Sequence, residues 1–210
     1  MNLLIDRPPD KVKIGNTEYQ INTDFRVSVL FELLIQDEDV SDKDKIRQTI
    51  ELYFPVIPVQ ENINDIFKAV IWFYKCGRTD KEIKPERDEI SNDDTNESET
   101  EETRAYSFDY DDEYIYAAFR QQYGINLATI NGLHWWEFRA MFKGLDHNCE
   151  FAKIMGYRTA RITKEMSKSE KAFLRKMKTV HALPLSEKAQ RQNDALINAL
   201  KNGGDLTGIV

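Results

Sequence analysis

The chain has 210 residues, of which 41% are hydrophobic and 31% charged, with a formal net charge of −7. This balance excludes a disordered low-complexity chain, and no apolar run approaches the roughly 18 residues needed to cross a bilayer. The two cysteines, Cys76 and Cys149, stand too far apart for a paired motif. They are expected as reduced, partly buried thiols rather than a disulfide scaffold.

The N-terminal stretch Met1–Pro9 carries only the apolar triplet Leu3-Leu4-Ile5 before Asp6. It is too short for a signal-peptide core and lacks a basic start, so the expected compartment is the cytoplasm. Lys11–Ile14 and Thr17–Ile21 alternate apolar and polar residues around Gly15-Asn16. Both turn residues tolerate positive φ, which predicts a β-hairpin. A lone hairpin is marginal and must pack on something.

Helical spacing follows. Thr23 or Asn22 can cap a helix reaching Asp37, with Phe25, Val29, Leu30, Leu33 and Leu34 as its apolar residues. Ser41, with Asp44 three residues on, predicts a second helix to about Tyr53, stopped by Pro55 and Pro58. A third helix is expected from about Asn62 to Cys76, ended by Gly77 in a left-handed conformation. Its apolar face reads Ile63, Ile66, Phe67, Val70, Ile71 and Tyr74, and Trp72 and Phe73 make it apolar nearly all round. Such a helix is buried on two sides, or has one side in the core and one in an interface.

Arg78–Arg104 is dominated by Asp, Glu, Ser, Asn, Thr and Lys, with eight acids and no base between Asp88 and Glu102. It cannot bury enough apolar surface to offset the entropy of ordering, which predicts a flexible acidic loop. Beyond it, Asp109 or Asp111 can cap a helix through Tyr123, closed by Gly124. Thr129 or Asn131 can open the next, ending at Gly144, and a short one should run from Glu150 to Met155, closed by Gly156. Ser167 or Ser169 can cap a helix to Val180, and Pro184 separates it from a last one over Ser186–Asn202. The fold class is therefore mainly α, with a small N-terminal hairpin and an acidic loop between two helical parts. The expected divisions are 1–77, 78–105, 106–202 and a loose tail at 203–210.

The search for chemistry yields little. There is no phosphate loop, dinucleotide fingerprint or nucleophile elbow. Asp146-His147-Asn148-Cys149 is one cluster where a zinc site would need two spaced pairs. Phe108–Tyr114 gathers four carboxylates and three aromatics. Acid–base chemistry or cation binding is conceivable there, but acids also collect at helix starts because the macrodipole favours them. Between Lys153 and Lys201 twelve Lys or Arg stand against four acids. The run from Arg158 to Lys178 can contact phosphates, yet no nucleic-acid motif accompanies it, and a solvated or acid-pairing face is the expected role. No catalytic residue, cofactor or metal is expected, so the reading is non-enzymatic.

His134-Trp135-Trp136-Glu137-Phe138-Arg139 is the most individual string. Trp135, Phe138, Phe142 and Leu145 share one helical face; Leu133, Trp136 and Ala140 share another. A core role is expected for most of these, with at least one Trp left for an interface. The candidate partner or self-association surface comprises Trp72, Phe73, Trp135, Trp136, Phe138 and Phe142.

Three blocks carry a family resemblance: the hairpin with Thr23-Asp24-Phe25-Arg26; Phe108 to Phe119; and Leu133 to Leu145 with Ile154-Met155-Gly156-Tyr157-Arg158. Over about residues 10 to 180 the chain resembles a small family from tailed phages and prophages of Gram-positive bacteria, placed among tail-assembly proteins. The resemblance implies a helical tail-assembly chaperone that forms homo-oligomeric rings or spirals and coats the tape-measure protein. It implies residence in the host cytoplasm, absence from the finished virion, and no catalytic residues. Related chaperones are often made in a short form and a frameshifted longer form, and the glycine-rich end would fit a short form. Relative to the family pattern the acidic segment looks like an insertion. The alternative reading is a structural tail or connector component of the virion; a nucleic-acid-binding regulator is a third.

Overall fold

The computed structural model describes residues 2–78 and 104–184. The expected acidic loop, the helix over 186–202 and the tail lie outside them. The described part is mainly α with one small hairpin, as the pattern implies: β1 (Lys11–Ile14), β2 (Thr17–Gln20), α1 (Phe25–Gln36), α2 (Asp42–Tyr53), α3 (Ile63–Tyr74), α4 (Asp112–Tyr123), α5 (Trp135–Lys143), α6 (Glu150–Thr159) and α7 (Lys168–Val180).

The hairpin is antiparallel, pairing Val12 with Tyr19 and Ile14 with Thr17. Of the two turn residues only Gly15 takes positive φ, at 57°, as at the first position of a type II′ turn. Val12 and Ile14 point inward and are buried against α3.

The predicted caps hold for α2 and α7, and α3 begins at the expected Asn62, which caps it. Ser41, Asn62 and Ser167 each accept a backbone N–H from the first helical turn, and Ser167 completes a reciprocal capping box with Glu170. Three predicted starts or stops differ. The cap of α1 is Asp24, not Asn22 or Thr23. The cap of α5 is His134, whose Nδ1 accepts the Trp136 N–H at 3.0 Å, not Thr129 or Asn131. Helix α6 runs through Gly156 to Thr159.

The first two differences have one cause. The starts of α1 and α5 pair as a short antiparallel bridge, Asp24 opposite His134. The Phe25 N–H donates to Leu133 O at 3.0 Å and the Trp135 N–H to Thr23 O at 2.8 Å. Each helix thus satisfies the otherwise unpaired N–H of its first residue on the other's lead-in strand.

One apolar core joins both sides of residues 79–103, from Val12 and Ile14 to Phe138 and Phe151. Phe138 stands at its centre. Its ring stacks on Phe25 of α1 (4.7 Å between centroids), Phe119 of α4 (5.0 Å) and Trp135 (5.7 Å). Such pairs add about 0.5–1.5 kcal/mol each beyond area burial. No described helix is long and apolar enough to cross a membrane.

Candidate interaction surface

The six residues proposed from sequence as a partner surface do not share one. Phe73, Trp135, Trp136 and Phe138 are at most 2% exposed, and Phe142 packs half-buried against the core. Trp72 alone is outside, 41% exposed. The two indoles of α5 have a specific task. Trp135 Nε1 donates to Tyr74 O at 2.9 Å and Trp136 Nε1 to Phe73 O at 2.8 Å. They bond carbonyls of the last turn of α3, Phe73 O accepting the Cys76 N–H as well.

That end turns sharply. The N–H of Gly77 reaches Trp72 O and that of Cys76 reaches Phe73 O, both at 2.9 Å, the paired bonds of a Schellman closure. Gly77 supplies a left-handed residue as predicted (φ 70°), but Cys76 is left-handed too, at 58°. A Cβ on Gly77 would come within 2.9 Å of Trp136 Cη2. The thiol of Cys76 is half-buried, and burial pushes its pKa up.

The apolar face predicted for α3 is rotated in the fold. Its core residues are Ile66, Ala69, Val70 and Phe73. Ile63 is 52% exposed, and Phe67 and Ile71 are only partly covered. With Ile46 of α2 and Trp72 they line an open groove of about 730 Å³, rimmed by Lys68, Lys75 and Arg78. Lys68 is paired with Asp65 at 2.7 Å. Positive charge continues beyond the groove through Arg139 and Lys143: burial, then Arg139 and Arg78, lowers the pKa of Lys143. A second open groove, about 440 Å³, lies between α1 and α2 and is lined by Leu30, Leu33, Leu34 and Leu52 with Asp37 and Glu51.

The acidic-aromatic segment before α4 divides between inside and outside. Phe108 and Asp111 are buried, whereas Asp109, Tyr110, Asp112, Glu113, Tyr114 and Tyr116 face out. Asp111 is thus not one more acid at a helix start. It makes no side-chain cap bond to α4; it accepts the Ser107 N–H and two bonds from Arg158. Arg158, first read as part of a basic face, is therefore a buried acid-pairing residue. The other cations of the stretch stay outside on α7 and its lead-in or serve its ends: Lys171 Nζ donates to Lys164 O, and Lys178 Nζ to Arg158 O. The Asp146–Cys149 cluster is likewise local. Asp146 Oδ1 accepts the Asn148 N–H, and Cys149 Sγ accepts the Ala152 N–H at the start of α6.

What the geometry offers among the described residues is contact surface, including the open grooves on α3 and between α1 and α2 and an outward acidic-aromatic patch. The sequence places one side of α3 in the core or an interface and includes Trp72 in the candidate surface, but periodicity puts Ile63, Phe67 and Ile71 on a helical face without saying which way that face turns. Comparison with curated proteins and with solved structures gave no match. Residues 4–183, which span the seven helices of the described residues, match the family model described as Bacteriophage Gp15 protein, and the chain belongs to that bacteriophage family.

Proposed function

We propose that this phage protein is a tail-assembly chaperone. It self-associates and holds the tape-measure protein in the host cytoplasm until the tail forms around it, performs no catalysis, and does not enter the finished virion. The observation that carries this reading is that, among the described residues, open grooves on α3 and between α1 and α2 expose apolar side chains on a chain that closes a core elsewhere. A holding protein needs one such surface for its own kind and another for its client. A long client with amphipathic helices would lay an apolar stripe into the leucine-lined groove of α1 and α2. Family membership supports the phage setting.

Co-expression with the tape-measure protein, followed by affinity capture, tests the reading. Retention of that client in soluble form is expected, and a Leu30→Asp, Leu34→Asp variant should lose it. A client that stays insoluble and uncaptured beside the folded protein refutes the proposal. Mass spectrometry of purified virions separates it from a structural role, since abundant copies there would make the chain a tail or connector component.

A further inference from the structure

Two outward surfaces of this molecule are complementary in both charge and greasiness. The α3 groove has an apolar floor, Phe67, Ile71 and Trp72, and a rim of Lys68, Lys75 and Arg78, of which Lys68 is paired with Asp65. The outer side of α4 is its counterpart: Asp112, Glu113 and Tyr116 stand exposed together, beside the exposed Asp109 and Tyr110 of its lead-in, while Tyr114 lies on the other flank of the helix. Within one molecule α5 stands between the two. Helix α3 lies against Trp135 and Trp136 through Tyr74, Phe73 and Trp72, while α4 lies against Phe138 through Phe119.

We infer that the cationic apolar groove of α3 docks the acidic side of α4 that carries Asp112, Glu113 and Tyr116, on a second copy of this chain. The contact is heterologous: each copy presents a groove to one neighbour and an α4 face to another. Such a contact propagates and ends only by closing into a ring, or runs on as a helix. Tyr110 and Tyr116 present amphipathic rings to the groove, and the carboxylates meet the cationic rim. Trp72, the one tryptophan outside the core, sits where an anchor residue of an interface belongs. The inference rests on the self-association in the proposed function and says nothing of how the client is held.

Single charge reversals with crossed mixing test it. R78E spoils the groove but keeps the α4 face; E113R spoils the α4 face but keeps the groove. Both side chains are exposed, and circular dichroism checks that each variant folds. In size-exclusion chromatography with light scattering, the full-length wild type should run well above the 24.6 kDa of one chain. Its mass should fall with dilution and with added salt. Each variant alone should associate about tenfold or more weakly. Mixed one to one they should recover heavy species, because the intact faces meet each other and the reversed charges are again opposite. K68E with D109K repeats the test at other positions.

A wild type that stays monomeric at high concentration overturns the inference, whatever the client does. So does an E113R variant that associates like wild type, as it would if groove met groove, or a mixture that recovers nothing. Capture of the tape-measure protein by the weakened variants is read separately: retained client with lost self-association leaves the proposed function standing, and lost client with intact association counts against that reading alone.

Discussion

The guanidinium of Arg158 meets the carboxylate of Asp111 in a two-pronged pair, Nη1 to Oδ2 at 2.6 Å and Nη2 to Oδ1 at 2.8 Å, with both side chains buried. The same guanidinium donates from Nε to His181 O and from Nη1 to Ala105 O. One side chain of α6 therefore ties the lead-in to α4, the start of α4 and the end of α7. Removing one partner leaves the other charge buried without compensation, at a cost of about 3–5 kcal/mol. Arg158→Met and Asp111→Leu should each destabilise by that order in urea unfolding. The double variant should cost clearly less than the sum of the two, because no orphaned charge remains. Additive costs would mean that the two residues act independently.

The two tryptophans in contact across α3 and α5, Trp72 and Trp136 (5.6 Å between ring centroids), should respond differently to truncation. Trp136 is enclosed and holds the carbonyl of Phe73. Trp136→Ala should cost about 3–5 kcal/mol of stability. Trp72→Ala removes a half-open ring and one aromatic contact, so about 1 kcal/mol is expected, together with weaker self-association. Thermal unfolding beside light scattering separates the two effects.

His134 makes stability depend on pH in a defined direction. Its Nδ1 accepts the Trp136 N–H, so its proton sits on Nε2, which donates to Pro9 O at 3.1 Å. Burial, the largest influence, holds its pKa below the ordinary 6.5, partly opposed by the Pro9 bond. The unfolded chain then binds this proton at higher pH than the folded chain. The contribution is fully present above pH 6.5 and is lost as pH falls toward the folded value. Protonation also turns the cap's acceptor into a donor. His134→Asn retains a capping acceptor and should flatten the decline of unfolding free energy just below pH 6.5; an unchanged slope would place its origin elsewhere.

Thr49 is fully buried in α2, and its hydroxyl has no partner in the fold. Valine has nearly the same shape and no polar atom to desolvate. Thr49→Val should be neutral or stabilising by about 1 kcal/mol in chemical denaturation. A marked loss would mean that a water reaches this hydroxyl.

These differences mark what was legible in the sequence. Ser41, Asn62 and Ser167 announce their helices because a cap acts on the turn that follows it, within three residues. Asp24 and His134 cap α1 and α5 only in each other's company, 110 positions apart, and nothing local distinguishes them from Asn22 or Asn131. The Trp pair stood out as unusual, but its task, closing the end of α3, depends on a helix more than sixty positions earlier. Asp111 looked like one acid among four because its partner lies 47 residues on. In the candidate surface, residue types were readable and direction was not: α3 is apolar nearly all round, and its packing against the hairpin and α5 decides which side is left open.

The bridge between Asp24 and His134 also orders events on the ribosome. When residue 78 has emerged, Phe25, Phe73 and Tyr74 still lack the rings of Trp135, Trp136 and Phe138 that cover them. The leading third of the nascent chain cannot complete its interior until translation has passed α5. During that interval it carries open apolar surface of its own, so a protein proposed to shelter another begins life in need of the same protection.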